Sequence, residues 1–512
     1  MKTLKYITIV LLGVVMFTSC EVDYLGDPNQ PEVAPTYGIL NRVQKRFMDD
    51  TRDEWFSGRQ MLLWVQYWNQ VNYTEEDRFQ YRETVNKTDW DDLYKNAQDL
   101  VDLINYNVDE ATASDMAKYG SNETQIAAAQ VMLVYIYLHA VELWGDVPYY
   151  SFGSTNETFQ ANQLKSNDNF QPAYAKQSDI YADMLTVLSK AQDVFEAATY
   201  VMDGDNFYDG AADQWQKFAN SLRLRIANRI GDIANVNDAI ADGVFTSNAD
   251  NAGITYESTA VNGAPMYRAF VVSARNDFAP SMQLVELLKG NSTDFHTNQF
   301  PSDPRLAIYV QPNKNGDYVG IPLTDKNATV VSFKDESMPG AAVLAPDYTE
   351  IYMEYAEVCF ILSEVNGWDQ AWYEAGIRAS MEKWGVAEAD IAAYLAAVPA
   401  ANEENVMMQK YIALYMQPME AWSEYRRTGY PNSLVLAGSE TNKYAYTWPA
   451  TKSDGSVSDS TGFFFFDPIG ITSVPNRNKY LNNEENINSA NFEAAVASMG
   501  GNEQTTKLWW QP

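Results

Sequence analysis

The stretch from Gln125 to Tyr149 constrains the fold most. Between Ile126 and Leu143 almost every residue is apolar, and only Gln130, His139 and Glu142 interrupt the run. A surface helix shows a polar face on every turn, and this stretch has none. Continuous apolarity over about five turns predicts a helix buried on most sides, the central post of an α-helical body. A membrane span has the same length, but three polar side chains inside the run argue against hydrocarbon surroundings. Gly145 ends the helix and Pro148 prevents its prompt return.

A second apolar run, Tyr6 to Phe17, follows Lys2 and Lys5 and ends at Thr18, Ser19 and Cys20. A charged start, a short apolar core and small residues make residues 1–19 a secretory signal peptide. The small residue before Cys20 resembles the lipobox of bacterial lipoproteins, in which that cysteine is acylated and becomes the first residue. Acyl chains there, palmitate among them, would anchor the protein without a spanning helix. The alternative is ordinary cleavage that leaves Cys20 an incidental thiol. Once the leader is removed and Cys20 is acylated, only Cys359 remains as a thiol and no intramolecular disulfide can form. Residues 20–35, with Pro28, Pro31 and Pro35, read as a tether.

Acidic residues outnumber basic ones 68 to 36, for a formal charge of −32, and loss of the two leader lysines makes it −34. Nucleic acid and anionic lipid surfaces need a basic protein and are disfavoured as partners. Neutral or cationic ligands are compatible. The basic segment Trp215 to Ile230, with Arg223, Arg225 and Arg229, threads its arginines among apolar residues. Internal ion pairing explains it better than nucleic-acid binding.

Residues 36–512 read as one body. Helical periodicity dominates 36–235 and 347–427: a helix from Thr36, another from Asp89, then Ser178 to Ala198, Asp347 to Glu364, Trp368 to Trp384 and Glu404 to Tyr425. Residues 241–345 and 428–512 are irregular, with β-like runs at Tyr267 to Val272 and Asp317 to Leu323. Asn69 to Arg78 reads as an exposed loop, and Ser151 to Pro172 as a loop or lid. Helix pairs separated by loops suggest tetratricopeptide-like packing, although no clean 34-residue repeat is visible.

Four segments together resemble the SusD/RagB family of outer-membrane nutrient-binding lipoproteins. They are the post ending in Leu143-Trp144-Gly145-Asp146-Val147-Pro148-Tyr149; Trp215 to Ile230; Tyr355-Ala356-Glu357 to Gly367-Trp368; and Gln409 to Pro431. The resemblance implies a mainly α, SusD-like fold with four tetratricopeptide-like helix pairs and a loop-rich region, with small hairpins, that carries ligand. It also implies a partner TonB-dependent, SusC-like transporter, for which the lipoprotein acts as a lid at the outer membrane. Family members often carry a proline-arginine-arginine motif followed by tyrosine-proline. Here that region reads Val474-Pro475-Asn476-Arg477-Asn478-Lys479-Tyr480-Leu481, with one basic residue and the second proline replaced.

Catalytic signals are poor. His139 and His296 are the only histidines, which excludes a His-rich metal site, and no cofactor motif is present. Cys359 lies in the apolar run Val358 to Leu362 and reads as core. Binding signals are better, because sugars are gripped by exposed aromatic faces beside polar groups. Trp68, Tyr73, Arg78 and Tyr81 offer that mixture, as do Arg275, Asn276 and Asp277 and also Tyr318. The expected function is a non-catalytic, lipid-anchored receptor for oligosaccharide. The alternatives are the same architecture binding peptides or another small nutrient, and a surface glycoside hydrolase using an unrecognised carboxylate pair.

Overall fold

Helix α1 (Thr36–Thr51) opens the body, burying Leu40, Val43 and Phe47 at the spacing of one helical face. The computed structural model describes residues 33–163, 169–323, 335–437 and 443–512. The leader, Cys20 and the tether up to residue 32 lie outside the described residues. After α1 the chain makes a π turn (Ser57–Met61) and a short strand, β1 (Trp68–Gln70). Helix α2 (Glu83–Val108) then runs alongside α3 (Asn122–Trp144), the post.

The post is buried along nearly its whole length, from Ala127 to Trp144 with only Gln130 partly exposed. It is long and apolar enough to cross a membrane, yet 89% of its apolar window is covered by the body. Of its polar interruptions, Glu142 pairs with Arg229 and accepts from the Ser423 hydroxyl at 2.8 Å, and His139 Nδ1 lies 3.1 Å from the Tyr135 carbonyl. Ser121 caps its start by accepting from the Thr124 amide at 3.1 Å. Burial, with Arg52 nearby, pushes His139 down to about 3, so it is a neutral core residue at physiological pH. Gly145 ends the helix at φ 91°, where a Cβ would run into Met499.

Helices α4 (Gln177–Glu196), α5 (Ala212–Ile230) and α6 (Ile233–Asp242) continue the succession, each packing on the one before. The second helical group is α7 (Tyr355–Val365), α8 (Gln370–Lys383), α9 (Glu388–Ala397), α10 (Glu403–Ala413) and α11 (Pro418–Thr428). Helix α7 joins the groups by packing on α5. The fold is mainly helical, in keeping with stacked helix pairs.

The arginines of α5 pair internally, as their setting predicts. Arg225 grips Glu357 through two bonds, at 2.7 and 2.5 Å. Arg229 contacts Glu142 on the post and Glu420 on α11, and lies 3.1 Å from Glu424. Lys410 and Arg427 close on Glu424 at 2.9 and 2.8 Å. Burial, with the Glu357 and Glu142 charges adding to it, lifts Glu420 against the pull of Arg229 and Arg225. Burial acts the same way on Glu424, but Arg427, Lys410 and Arg229 outweigh it and hold that carboxyl far below its usual range.

Several expectations need correction. Tyr267 to Val272 is not a strand but a helical turn followed by a π turn. Asp347 to Glu364 divides into strand β4 (Thr349–Met353) and then α7, because β4 pairs antiparallel with β2 (Ala252–Thr255). Pro418 breaks the expected helix over Glu404 to Tyr425 into α10 and α11. The C-terminal region holds a hairpin, β5 (Lys443–Thr451) with β6 (Val457–Phe465), and helix α12 (Ser489–Met499).

Candidate ligand-binding surface

The loop-rich region is organised by β1 and its antiparallel partner β3 (Phe278–Pro280). The ladder continues one step through the Val71 amide, which donates to the Asp277 carbonyl at 2.7 Å. It therefore sets the loop after β1 beside the loop before β3. Tyr73 stands at the first tip, 62% exposed and at φ 59°. Arg275 stands on the second, its guanidinium held by Asp277 through Nε at 3.0 Å and Nη2 at 2.5 Å. Asn276 is exposed between them. Both Tyr73 and Glu54 lie within electrostatic reach of Arg275.

Beneath the tips lies a second arginine. Arg59 donates to Glu76 at 3.0 Å and lies 3.6 Å from Asp277. Trp55 covers the Arg59 guanidinium at 4.9 Å and remains 44% exposed. Asp53 fixes the turn that carries this tryptophan, accepting from the Trp55 and Phe56 amides at 3.0 and 2.8 Å. Burial pushes Asp53 up to about 7. Tyr73, Arg275, Asn276, Asp277 and Trp55 thus form a ridge of aromatic faces flanked by fixed polar groups. Such a surface can stack on the C–H faces of a sugar and bond its hydroxyl rim. Trp55 is absent from the residues expected to bind ligand. Its position directly after the acidic turn Asp53-Glu54, before a lone arginine, is the signal that was available.

Comparison with known proteins identifies the framework that holds this ridge. A family profile described as SusD-like, starch-binding and associating with the outer membrane, matches residues 28–447. The chain belongs to the SusD-like family. Solved structures agree on the fold. A chitin-binding protein superposes with a TM-score of 0.72 at 24% identity, covering 93% of this chain and 99% of that one. A SusD homolog from Parabacteroides distasonis gives 0.72 at 20% identity, covering 93% and 98%. A chitin-binding SusD homolog from Flavobacterium johnsoniae gives 0.67 at 22% identity, with the same coverage. No curated protein matches the chain.

In this SusD-like chain the other expected site residues fall elsewhere. Trp68 is a correction: it is wholly buried, donates its indole N–H to Tyr415 Oη at 3.0 Å and packs edge-on to Phe270. A tryptophan on a three-residue strand inside the core has no face left for ligand. Arg78 is also buried, bonded to the Asp467 carbonyl at 2.6 Å and its carboxylate at 3.2 Å, and it ties the loop to the C-terminal segment. The expected exposed loop Asn69 to Arg78 is therefore buried at both ends and exposed only at its tip, its ends joined by Gln70, which bonds Asp77 through its amide and Glu76 through its side chain at 2.6 and 2.9 Å. Tyr81 is half-buried, donates to Glu83 at 2.6 Å and lines a small pocket with Arg59 and Glu76. Tyr318 lies half-buried on a separate loop, packed against the core.

The altered SusD-like motif near the C-terminus has a structural role. Arg477 is buried against the Tyr480 ring, 4.3 Å from its centre, and donates to the Asn478 and Gly501 carbonyls. The Asn478 amide bonds Leu143 and the Tyr480 hydroxyl bonds Asp146, which fastens this segment to the end of the post. Among the described residues, no group of three His, Cys, Asp or Glu side chains is placed to hold a metal. Cys359 is a buried thiol that burial pushes up to about 12, far from thiolate reactivity.

Proposed function

We propose that this protein is a non-catalytic surface receptor that captures oligosaccharide on the Tyr73–Arg275 ridge. It is anchored in the outer membrane by acylated Cys20, faces the exterior and passes its cargo to a SusC-like TonB-dependent transporter. The observation that carries the reading is the ridge itself: exposed Tyr73 stands near the Arg275 guanidinium that Asp277 orients, and exposed Trp55 covers the neighbouring Arg59. Membership of a starch-binding, outer-membrane-associated family supports the ligand class, and the chitin-binding names of two relatives of the same fold point the same way.

Titration of the mature protein against a panel of starch, chitin and other neutral oligosaccharides tests the cargo. Binding to at least one glycan is expected. Binding to peptides with none to glycans would overturn the sugar assignment. Recovery of a barrel protein from detergent extract, with the acylated receptor as bait, is expected for the delivery role.

A further inference from the structure

A well-formed cavity lies away from the ridge. It lies against the β2–β4 pair and encloses about 600 Å³, within the usual range of small-molecule sites. Its floor follows from strand register. Gly253 lies opposite Ile351 and Thr255 opposite Thr349, so these four share one face of the ladder. The alternate residues, Ala252, Ile254, Glu350 and Tyr352, are buried. Gly253 belongs there because a Cβ would meet the Glu350 carbonyl at 2.9 Å. The floor is consequently flat and carries two hydroxyls, Thr255 and Thr349, 2.8 Å apart.

The walls add aromatic surface and amides. Trp384 and Tyr348 stack at 6.1 Å, and Phe207 lines the cavity with them. The Trp384 indole N–H finds no acceptor among the described residues. Three asparagine side chains on the lining are held by the protein. Asn206 bonds Asn41, Asn248 donates to the Ala379 carbonyl at 2.9 Å, and Asn251 accepts from the Tyr355 amide at 2.7 Å. Preorganised amides beside aromatic faces suit a hydroxyl-rich ligand. The charges favour a neutral ligand over an anion: Lys383 is paired with Glu354, and the other ionisable lining group with a formal charge at neutral pH is the Asp347 carboxylate.

We infer that this cavity is a second saccharide site, separate from the ridge, that takes a neutral ligand of about two sugar rings. It shares with the proposed function the premise of a sugar receptor but uses none of the same residues. A bound sugar stacks on the aromatic wall while its hydroxyls meet the asparagine amides and the threonine floor.

Titration calorimetry and saturation-transfer NMR on the mature protein, with maltose and N,N′-diacetylchitobiose as probes, test it. Ala342 is exposed on the lining, so Ala342→Trp fills the cavity from its rim with little effect on the core. Thr255→Trp fills it from the floor and serves as the second variant. The expected result is that Tyr73→Ala protein still binds a disaccharide, and that either filling substitution weakens this binding at least about tenfold. Glucose 6-phosphate is expected to bind at least about tenfold more weakly than the neutral probes. Failure of Tyr73→Ala protein to bind either disaccharide overturns the second site and leaves the ridge standing. Binding indifferent to both filling substitutions also overturns it. Binding that survives Tyr73→Ala unchanged and vanishes with Ala342→Trp upholds the cavity and removes the ridge.

Discussion

Arg229 and Arg275 both sit against carboxylates, one in the helical half and one on the loops. Arg229 is almost completely enclosed and faces Glu142 on the post and both Glu420 and Glu424 on α11. Arg275 has a single partner, Asp277, two residues away, and its side chain is 41% exposed. Inside the scaffold the ion pairs lock helices that lie far apart in sequence, and a lost partner strands charge in low dielectric. On the ridge, the short-range pair only orients a guanidinium whose remaining donors face water. The same chemistry thus holds the fold in one place and is left available to a ligand in the other.

Removing the enclosed cation is the severest way to break this contrast. Arg229→Ala leaves three buried carboxylates short of a partner and is expected to cost about 3–5 kcal/mol of stability, read by denaturant titration. The equivalent change at Arg275 is expected to move the unfolding midpoint very little, since exposed pairs contribute about 0–1 kcal/mol. Equal losses from the two substitutions would erase the distinction.

Changing the pH tests the buried carboxyls without altering the sequence. Burial pushes Asp53 up to about 7 and Glu350 up to about 8 from ordinary values of 3.8 and 4.5. Each binds its proton more tightly in the folded state. Its stabilising contribution is therefore complete below its ordinary value and is lost as pH rises through its folded one. Carboxyls held low, such as Asp232 and Asp250, act only below their ordinary range and do not offset this. The melting temperature is expected to fall by several degrees from pH 5 to pH 8.5, with self-repulsion of the acidic chain adding in the same direction. Asp53→Asn retains acceptors for the Trp55 and Phe56 amides and is expected to reduce that slope.

Legibility from sequence divides along the same line. The post could be read because no surface helix is apolar on all sides, and the α5 arginines because apolar neighbours force them inward. The ridge could be read only in part. Tyr73, Arg275 and Asn276 come together over the buried Asp277, but the ladder that joins them spans about two hundred residues of chain and leaves no local pattern. Trp68 shows the failure most clearly, since aromatic density looks the same whether it faces water or core. Trp68→Phe removes its bond to Tyr415 and part of its volume. It is expected to cost about 2 kcal/mol of stability while leaving glycan affinity within about twofold. The hairpin β5–β6 did leave a signal: Tyr444, Tyr446 and Trp448 alternate with smaller residues and are all buried. By contrast, β4 carries no alternation, because four of its five residues are buried.

The smallest expected effect bears most directly on function. Tyr73 is largely solvent-exposed, so Tyr73→Ala removes little packing and is expected to leave the melting temperature unchanged. If its ring supplies a stacking face, glycan affinity drops about tenfold, equivalent to about 1.4 kcal/mol. Its positive φ introduces one complication, since alanine is no more comfortable there than tyrosine and the loop could relax. Tyr73→Gly keeps the backbone conformation accessible and still removes the ring, so it separates the two causes. Equal affinity losses in both variants assign the effect to the aromatic face. A loss with alanine that glycine restores assigns it to loop shape, and Trp55→Ala then becomes the decisive substitution for the stacking role of the ridge.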